Sequence, residues 1–358
     1  MFKKITVLLA LCLAFTTLFV ACNNQQTDAN ASTTETETKT EPTDTKEEEP
    51  PKKSIDIYLI AGQSNASGYT IYDPTVLERL WDKYNVGNES VLYFGRAEFT
   101  YNINTPIVST GVNEFKTFVP ARAGMGALSN QMGPEVGMAA YLNEHYYNEP
   151  SGKQAGIIKF AHGGTSLLDN REGENAANGN WVSPSYAKSL NVDYTGLTGG
   201  LYRGLLDQVQ KGIQELEANG YEEINFKGMF WMQGESDTWN PQEYKTAFRF
   251  FANDLREDLG KITGKDQSDF AIMIGEISKT SGSADTMQVM NNNNFIFVQR
   301  ALAAELQNTY VIASGQFEIN TIENGVNVNG QDAWHWTTEH MFSIGELVGE
   351  CIVNEILK

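Results

Sequence analysis

Residues 54–358 predict an α/β fold, a three-layer α/β/α sandwich around a central parallel sheet. Three observations predict it: apolar runs of strand length recur through these 305 residues, helices with one apolar face separate them, and no second linker interrupts the alternation. Helices of that length between strands imply parallel crossovers, and a sheet crossed in this way is covered on both faces.

The first strand is "SIDIYLIAG" (54–62), rich in β-branched and aromatic residues and ending at a glycine. "PEVGMAAYLNEHYY" (134–147) opens with a proline suited to a first helical turn, and "QAGIIKFAHGG" (154–164) follows as a strand. "LYRGLLDQVQKGIQELEANG" sets Leu201, Leu205, Val209, Ile213 and Leu216 on one helical face, with Gly220 as its stop. After the strand "INFKGMFWMQG" (224–234), "PQEYKTAFRFFANDLREDLG" aligns Tyr244, Phe248, Phe251, Leu255 and Leu259 and is expected to close at Gly260. "FAIMIGEIS" is the next strand. Beyond the asparagine run "NNNN" come a helix at "IFVQRALAAELQ", a strand at "TYVIASG" and a last helix over about 338–357.

The N-terminus reads as a segment outside the fold. "MFKK" is a positive n-region, "ITVLLALCLAFTTLFV" an apolar stretch, and "VAC" a cleavage site ending on Cys22, so residues 1–21 are expected to be a secretory leader. "LFVAC" resembles a bacterial lipobox, which implies a lipid on Cys22, a membrane anchor and an extracytoplasmic location. Residues 22–53, dominated by Thr, Glu, Asn, Lys and Pro without apolar periodicity, read as a disordered tether of roughly 100 Å reach at full extension.

The formal charge of −19 divides into +2 in the leader, −4 in the tether and −17 in residues 54–358. That balance argues against nucleic acid or an anionic lipid surface as partner and suits a neutral substrate. The three cysteines are Cys12, Cys22 and Cys351, so the mature domain is expected to hold no intramolecular disulfide, and Cys351, in the apolar pattern of the last helix, reads as a buried small residue.

In sheets of this kind ligands bind beyond the carboxyl ends of the strands. Ser64 of "LIAGQSNASG", Gly163 with Gly164, and Gln233 with Glu235 each follow a strand there. A serine hydroxyl needs an adjacent base, normally histidine, with a third group fixing the imidazole. Of His145, His162, His335 and His340, only His335 has an acid placed to do so, Asp332 in "GQDAWHWTTEH". Taken alone, D-x-x-H reads equally as a helix entrance with an Asx-turn. His335, His340 and a carboxylate lack a third convincing zinc ligand, so no metal and no cofactor is expected. Gly133, before a helix starting at Pro134, offers an N–H for an oxyanion, and "FWMQGESD" offers the Gln233 amide.

The ordered blocks "AGQSN", "MGPEVGMA", "HGGTSL", "FWMQGESD" and "DAWHW", spanning 61–336, resemble the sialate O-acetylesterase domain of the SGNH (GDSL-type) hydrolases, close to carbohydrate esterase family six. The resemblance implies a flavodoxin-like SGNH hydrolase fold and Ser-His-Asp acyl transfer. Ser64 would be the nucleophile, His335 and Asp332 the base and its orienter, and Ser64, Gly133 and Gln233 the oxyanion hole. Glu235 is the other candidate for the third-block position. Gln63, Asn65, Gly164, Thr165, Glu235 and Trp334 are candidate substrate contacts. The substrate implied is an O-acetylated glycan, acetylated xylan or a similar polymer first and O-acetyl sialic acid second. The region 69–130, longer and more polar than the family pattern, and Trp334 and Trp336 beside His335, depart from that pattern. An inactive, glycan-binding scaffold would have lost one of Ser64, His335 or Asp332, and all three are present. A lipase would need an apolar lid, for which 69–130 is too polar.

Overall fold

The computed structural model describes residues 52–97, 113–148, 151–169, 179–323, 326–327 and 332–358. The expected leader and all but the last two residues of the expected tether, Cys22 included, lie outside the described residues.

Strands β1 (Ser54–Gly62), β2 (Thr70–Ile71), β3 (Val91–Ala97), β4 (Glu114–Pro120), β5 (Gln131–Met132), β6 (Ala155–Ala161), β7 (Glu223–Met232), β8 (Ala271–Gly275), β9 (Thr309–Ile312), β10 (Ile322–Glu323) and β11 (Val326–Asn327) form three sheets. The main sheet has seven strands in the order β4-β3-β6-β1-β7-β8-β9. Neighbours run parallel except β3 with β4. β2 pairs with β5 and β10 with β11 as short antiparallel ladders.

The helices are α1 (Ser64–Ser67), α2 (Pro74–Leu80), α3 (Glu135–His145), α4 (Pro184–Leu190), α5 (Gly200–Ala218), α6 (Pro241–Thr263), α7 (Thr286–Glu305) and α8 (Thr338–Cys351). The period-2 pleat of β1 assigns them to layers. Ile55, Ile57, Leu59 and Ala61 point into one core with the apolar faces of α4, α5, α6 and α7, whereas Tyr58 and Ile60 point into the other with α3 and α8. The α/β/α sandwich read from the sequence is the fold observed. Trp231 belongs to the first core, edge-on to Trp181 at 5.2 Å and 88°. Its strand is central, and neither ring reaches the surface.

Three boundaries differ from the periodicity. The helix expected to stop at Gly260 continues to Thr263, because the left-handed cap is Gly264, at φ 65°, and an interior glycine costs a helix only about 1 kcal/mol. The asparagine run is inside α7: Asp285 caps the helix by accepting the Gln288 N–H, and buried Asn292 donates to the carbonyls of Lys279 and Ser281. β3 and β4, within the long polar region, complete the sheet on one edge.

The order of the inner strands positions the site. β1 is flanked by β6 on one side and β7 on the other, so the chain reverses its winding direction across β1 and leaves a crevice beyond its carboxyl end. The segments after β6, β1 and β7 are therefore neighbours about 4.8 Å apart at their roots.

Candidate active site

Ser64 begins α1 one residue after the turn that leaves β1. Gly62, at φ 141°, passes so near β7 that a Cβ there would lie 2.1 Å from the Met232 carbonyl oxygen, and only glycine fits. Gln63 then donates its N–H to that same carbonyl. The turn is thus stitched to β7, and the Ser64 N–H stands where helical N–H groups have no intrahelical acceptor.

His335 arrives from the other end of the chain, on the segment before α8. Several bonds hold that segment over the crevice: Asn65 Nδ2 donates to Trp334 O (3.2 Å), Thr70 Oγ1 to Trp336 O (2.9 Å), and Asn320 Nδ2 and the Gly282 N–H to Ala333 O. The Trp336 indole is buried and donates to Phe317 O, while Trp334 stays half-exposed. Gly282, at φ 81°, lets the Trp334 ring lie against its Cα, since a Cβ would meet the ring at 2.6 Å.

Both readings of D-x-x-H are realised, on different oxygens. Asp332 Oδ1 accepts the N–H groups of Trp334 and His335, closing the Asx-turn, and Oδ2 lies 2.6 Å from His335 Nδ1. Burial raises the carboxyl, but the bonds from Trp334 and His335 outweigh it and hold it below its usual value. With Nδ1 committed to the carboxylate, Nε2 is the free nitrogen. It is buried without a hydrogen-bond partner. Tyr69 stacks on the imidazole at 5.0 Å and 15°, a contact no spacing in the sequence announces.

Ser64 and His335 line one cleft of about 510 Å³ with Gln63, Asn65, Tyr69, Gly163, Gly164, Glu235, Ser236 and Trp334. Segments after β6, β1 and β7 and the segment before α8 thus converge, as the switch point requires. Buried polar atoms without a partner gather here as well, Gln63 Oε1 and Asn65 Oδ1 beside His335 Nε2, a cost that folds accept mainly where a site must stay available. Glu235 accepts Asn65 Nδ2 on Oε1 (3.0 Å), and burial pushes its carboxyl up to about 7.

Three expected site residues stand elsewhere. The Gly133 N–H donates to Glu135 Oε1 (2.9 Å), and Glu135 is fully buried in an ion pair with Lys159 (2.8 Å), so this N–H is not offered to the cleft. Lys159 Nζ also donates to Ser67 O at the end of α1, and burial lowers its pKa against the pull of Glu135. The Gln233 amide donates to Thr165 O (3.0 Å) and Asp237 Oδ2 (2.6 Å), beneath the cleft rather than in it. Thr165 is fully buried, its hydroxyl donating to His162 O and accepting the Trp181 indole N–H. Asp237 binds these segments together, accepting from Ser166, Leu167 N and Gln233, and burial still pushes it up to about 6. Ser236, for which no motif in the sequence gives a signal, also lines the cleft.

His340, in the first turn of α8, stacks on Phe317 at 5.1 Å and is not among the residues lining the cleft. Among the described residues no group of three metal-ligating side chains comes together.

Residues 54–354 match the model of a family described as carbohydrate esterase, sialic acid-specific acetylesterase. No curated protein matches. Among solved structures, NanS is similar at 14% identity and a TM-score of 0.50, over 84% of this chain and 97% of that one. A carbohydrate acetylesterase from Xanthomonas citri is similar at 15% identity and a TM-score of 0.49, over 83% of this chain and 56% of that one. A protein from Arabidopsis thaliana is similar at 18% identity and a TM-score of 0.49, over 86% of this chain and all of that one.

Proposed function

The chain belongs to the carbohydrate esterase family of sialic acid-specific acetylesterases, and from that premise we propose that it removes acetyl groups from an O-acetylated glycan through a Ser64-His335-Asp332 triad. The single observation that carries the reading is the shared cleft: Ser64 and the unpartnered Nε2 of His335 line it together, and Asp332 holds the opposite ring nitrogen.

In this reading Nε2 takes the Ser64 proton as Oγ bonds to the acetyl carbon. The ester C–O bond then breaks, and the proton passes from Nε2 to the departing sugar oxygen. Water, deprotonated by the same nitrogen, releases acetate from the acyl-serine. No hydrogen bond joins Nε2 to Ser64 in the free protein. Such contacts commonly tighten only when substrate binds. The Ser64 N–H, at the start of α1, is a donor for the oxyanion, and Trp334 supplies an aromatic wall for a sugar ring.

Acetylated xylan or a similar polymer is the first substrate, O-acetyl sialic acid the second. The test is acetate release by the purified chain from acetylated xylan, O-acetylated sialosides and an aryl acetate, beside Ser64→Ala. Release abolished by the substitution supports the triad, and the preferred panel member names the substrate. No release from any of them by the unaltered chain overturns the reading.

The chain is further read as a lipoprotein: leader 1–21, lipidated Cys22 with a tether to residue 53, and an extracytoplasmic esterase domain over 54–358. The basic "MFKK", the apolar run and "LFVAC" support this. Incorporation of labelled palmitate into the chain but not into Cys22→Ala is the expected result, and equal labelling of both removes the anchor.

A further inference from the structure

Trp239 is 67% exposed, more than any other large apolar side chain among the described residues. Single exposed apolar residues are ordinary on protein surfaces. Trp239 differs in where it stands and in how firmly it is held. Of the six tryptophans, two are exposed, Trp239 and Trp334. Trp334 lines the cleft, and the Trp239 indole Nε1 donates at 3.1 Å to the carbonyl of Ser236, which lines it too. The ring therefore stands at the rim, beside the residues that follow β7. The loop that carries it is tied at several points. The Asp237 N–H donates to Gly234 O, the Asn240 N–H to Asp237 O and the Thr238 hydroxyl to Glu235 O, while the buried Asp237 carboxylate takes the Leu167 N–H. With Nε1 already bonded inside the loop, the indole keeps no donor for a ligand, and what it can offer is its flat face. A ring held in this way loses little further freedom when something stacks on it.

We propose that Trp239 forms a second sugar-binding position, at which its indole stacks on the C–H face of the ring next to the acetylated one in the glycan chain. The proposal rests on the esterase reading above. Trp334 serves the acetylated ring in that reading, and Trp239 serves its neighbour. A pyranose with its hydroxyls at its edge presents C–H groups on its faces, and these meet the electron-rich face of an aromatic ring favourably. The contact does not depend on a carboxylate elsewhere in the glycan, so a ring of a xylan chain and a ring joined to a sialic acid both fit it. Because it lies away from the ester bond, it stabilises the bound substrate and the transition state alike, which lowers KM and leaves kcat where it was.

The experiment measures kcat and KM of the full chain on matched pairs of substrates, with Trp239→Ala and Trp239→Phe alongside. The pairs are acetylated xylobiose with acetylated methyl xyloside, and O-acetylated sialyllactose with an O-acetylated methyl sialoside, and an aryl acetate is the reference ester. In the pair the chain hydrolyses better, the two-ring substrate should have a KM about fivefold below that of its one-ring counterpart at similar kcat. Trp239→Ala should bring the two KM values to within about twofold of each other, and Trp239→Phe, which keeps a smaller aromatic face, should fall between. Equal KM values in the unaltered chain, or a difference that survives Trp239→Ala, overturn the proposal, while aryl acetate hydrolysis by the unaltered chain leaves the esterase reading standing. No hydrolysis of any ester by the unaltered chain overturns both.

Discussion

Asp332 holds His335 by two bonds and Trp334 by a third, Oδ2 at 2.6 Å from His335 Nδ1 and Oδ1 taking the N–H groups of Trp334 and His335. One carboxylate therefore sets both the backbone turn and the tilt of the ring. Asp332→Asn keeps the shape but offers an amide N–H or a weaker acceptor to Nδ1, and the wrong tautomer becomes accessible. Turnover should fall about 10³-fold or more with little change in KM. A fall of less than tenfold in acetate release removes Asp332 from its role as orienter.

Ser64 and His335 act as a unit in the proposed chemistry. Ser64→Ala, His335→Ala and the double substitution should each lower kcat to within about tenfold of one another. Multiplicative losses in the double variant mean that the two side chains do not share a proton.

The Gln233 amide bonds to Asp237 and Thr165 O rather than to the cleft. Gln233→Ala leaves a buried carboxyl and carbonyl short of a donor, which costs about 1–3 kcal/mol and should appear as a lowered Tm. A hundredfold loss of kcat at unchanged Tm is the result that returns this amide to the oxyanion hole.

Lys159 and Glu135 are both fully buried, and their pair supports the far end of α1 through Ser67 O. Lys159→Met strands Glu135 as an unpaired buried charge and should destabilise the fold by about 3–5 kcal/mol. Lys159→Met with Glu135→Leu should recover much of that loss in chemical denaturation. If the double variant is no more stable than the single one, the penalty lies in packing and not in charge.

Burial raises Glu235 to about 7 and Asp237 to about 6, above the ordinary carboxylate values that the unfolded chain shows. Between about pH 4 and 7 the folded state therefore binds more protons than the unfolded state, and stability decreases as pH rises through this window. Thermal denaturation should give a higher Tm at pH 5 than at pH 8, with part of that slope absent in Asp237→Asn. An unchanged slope in the variant shows that Asp237 does not titrate there.

Much of this architecture is legible in the residues. The β1 run ends at Gly62 because the chain must turn against β7, and the helical faces of α5 and α6 are written at 3.6-residue spacing. That Ser64 and His335 line one cleft, with Asp332 bonded to the ring, follows a pattern the residues suggest, since a hydroxyl nucleophile would need a base and an orienter. Gly133 is a different matter. Its N–H is captured by Glu135 two residues on, at the start of α3, and what fixes Glu135 is Lys159 on β6, which no local pattern reveals. Gln233 likewise turns toward Asp237 because Ser166 and Leu167, from the segment after β6, hold that carboxylate in place. Tertiary partners decide where such polar side chains point, and β3 with β4, hidden in a long polar region, complete the sheet only through pairing.

The bonds that carry the histidine segment over the crevice join residues 269 and 266 positions apart. At a synthesis rate of roughly 5–20 residues per second, the serine turn exists for about 15–50 s before its base emerges. The nascent chain thus passes through a long interval in which its sheet can begin to form but its hydrolytic centre is incomplete. In the proposed triad the nucleophile and its base therefore come together only after the C-terminal segment has emerged and packed beside α1.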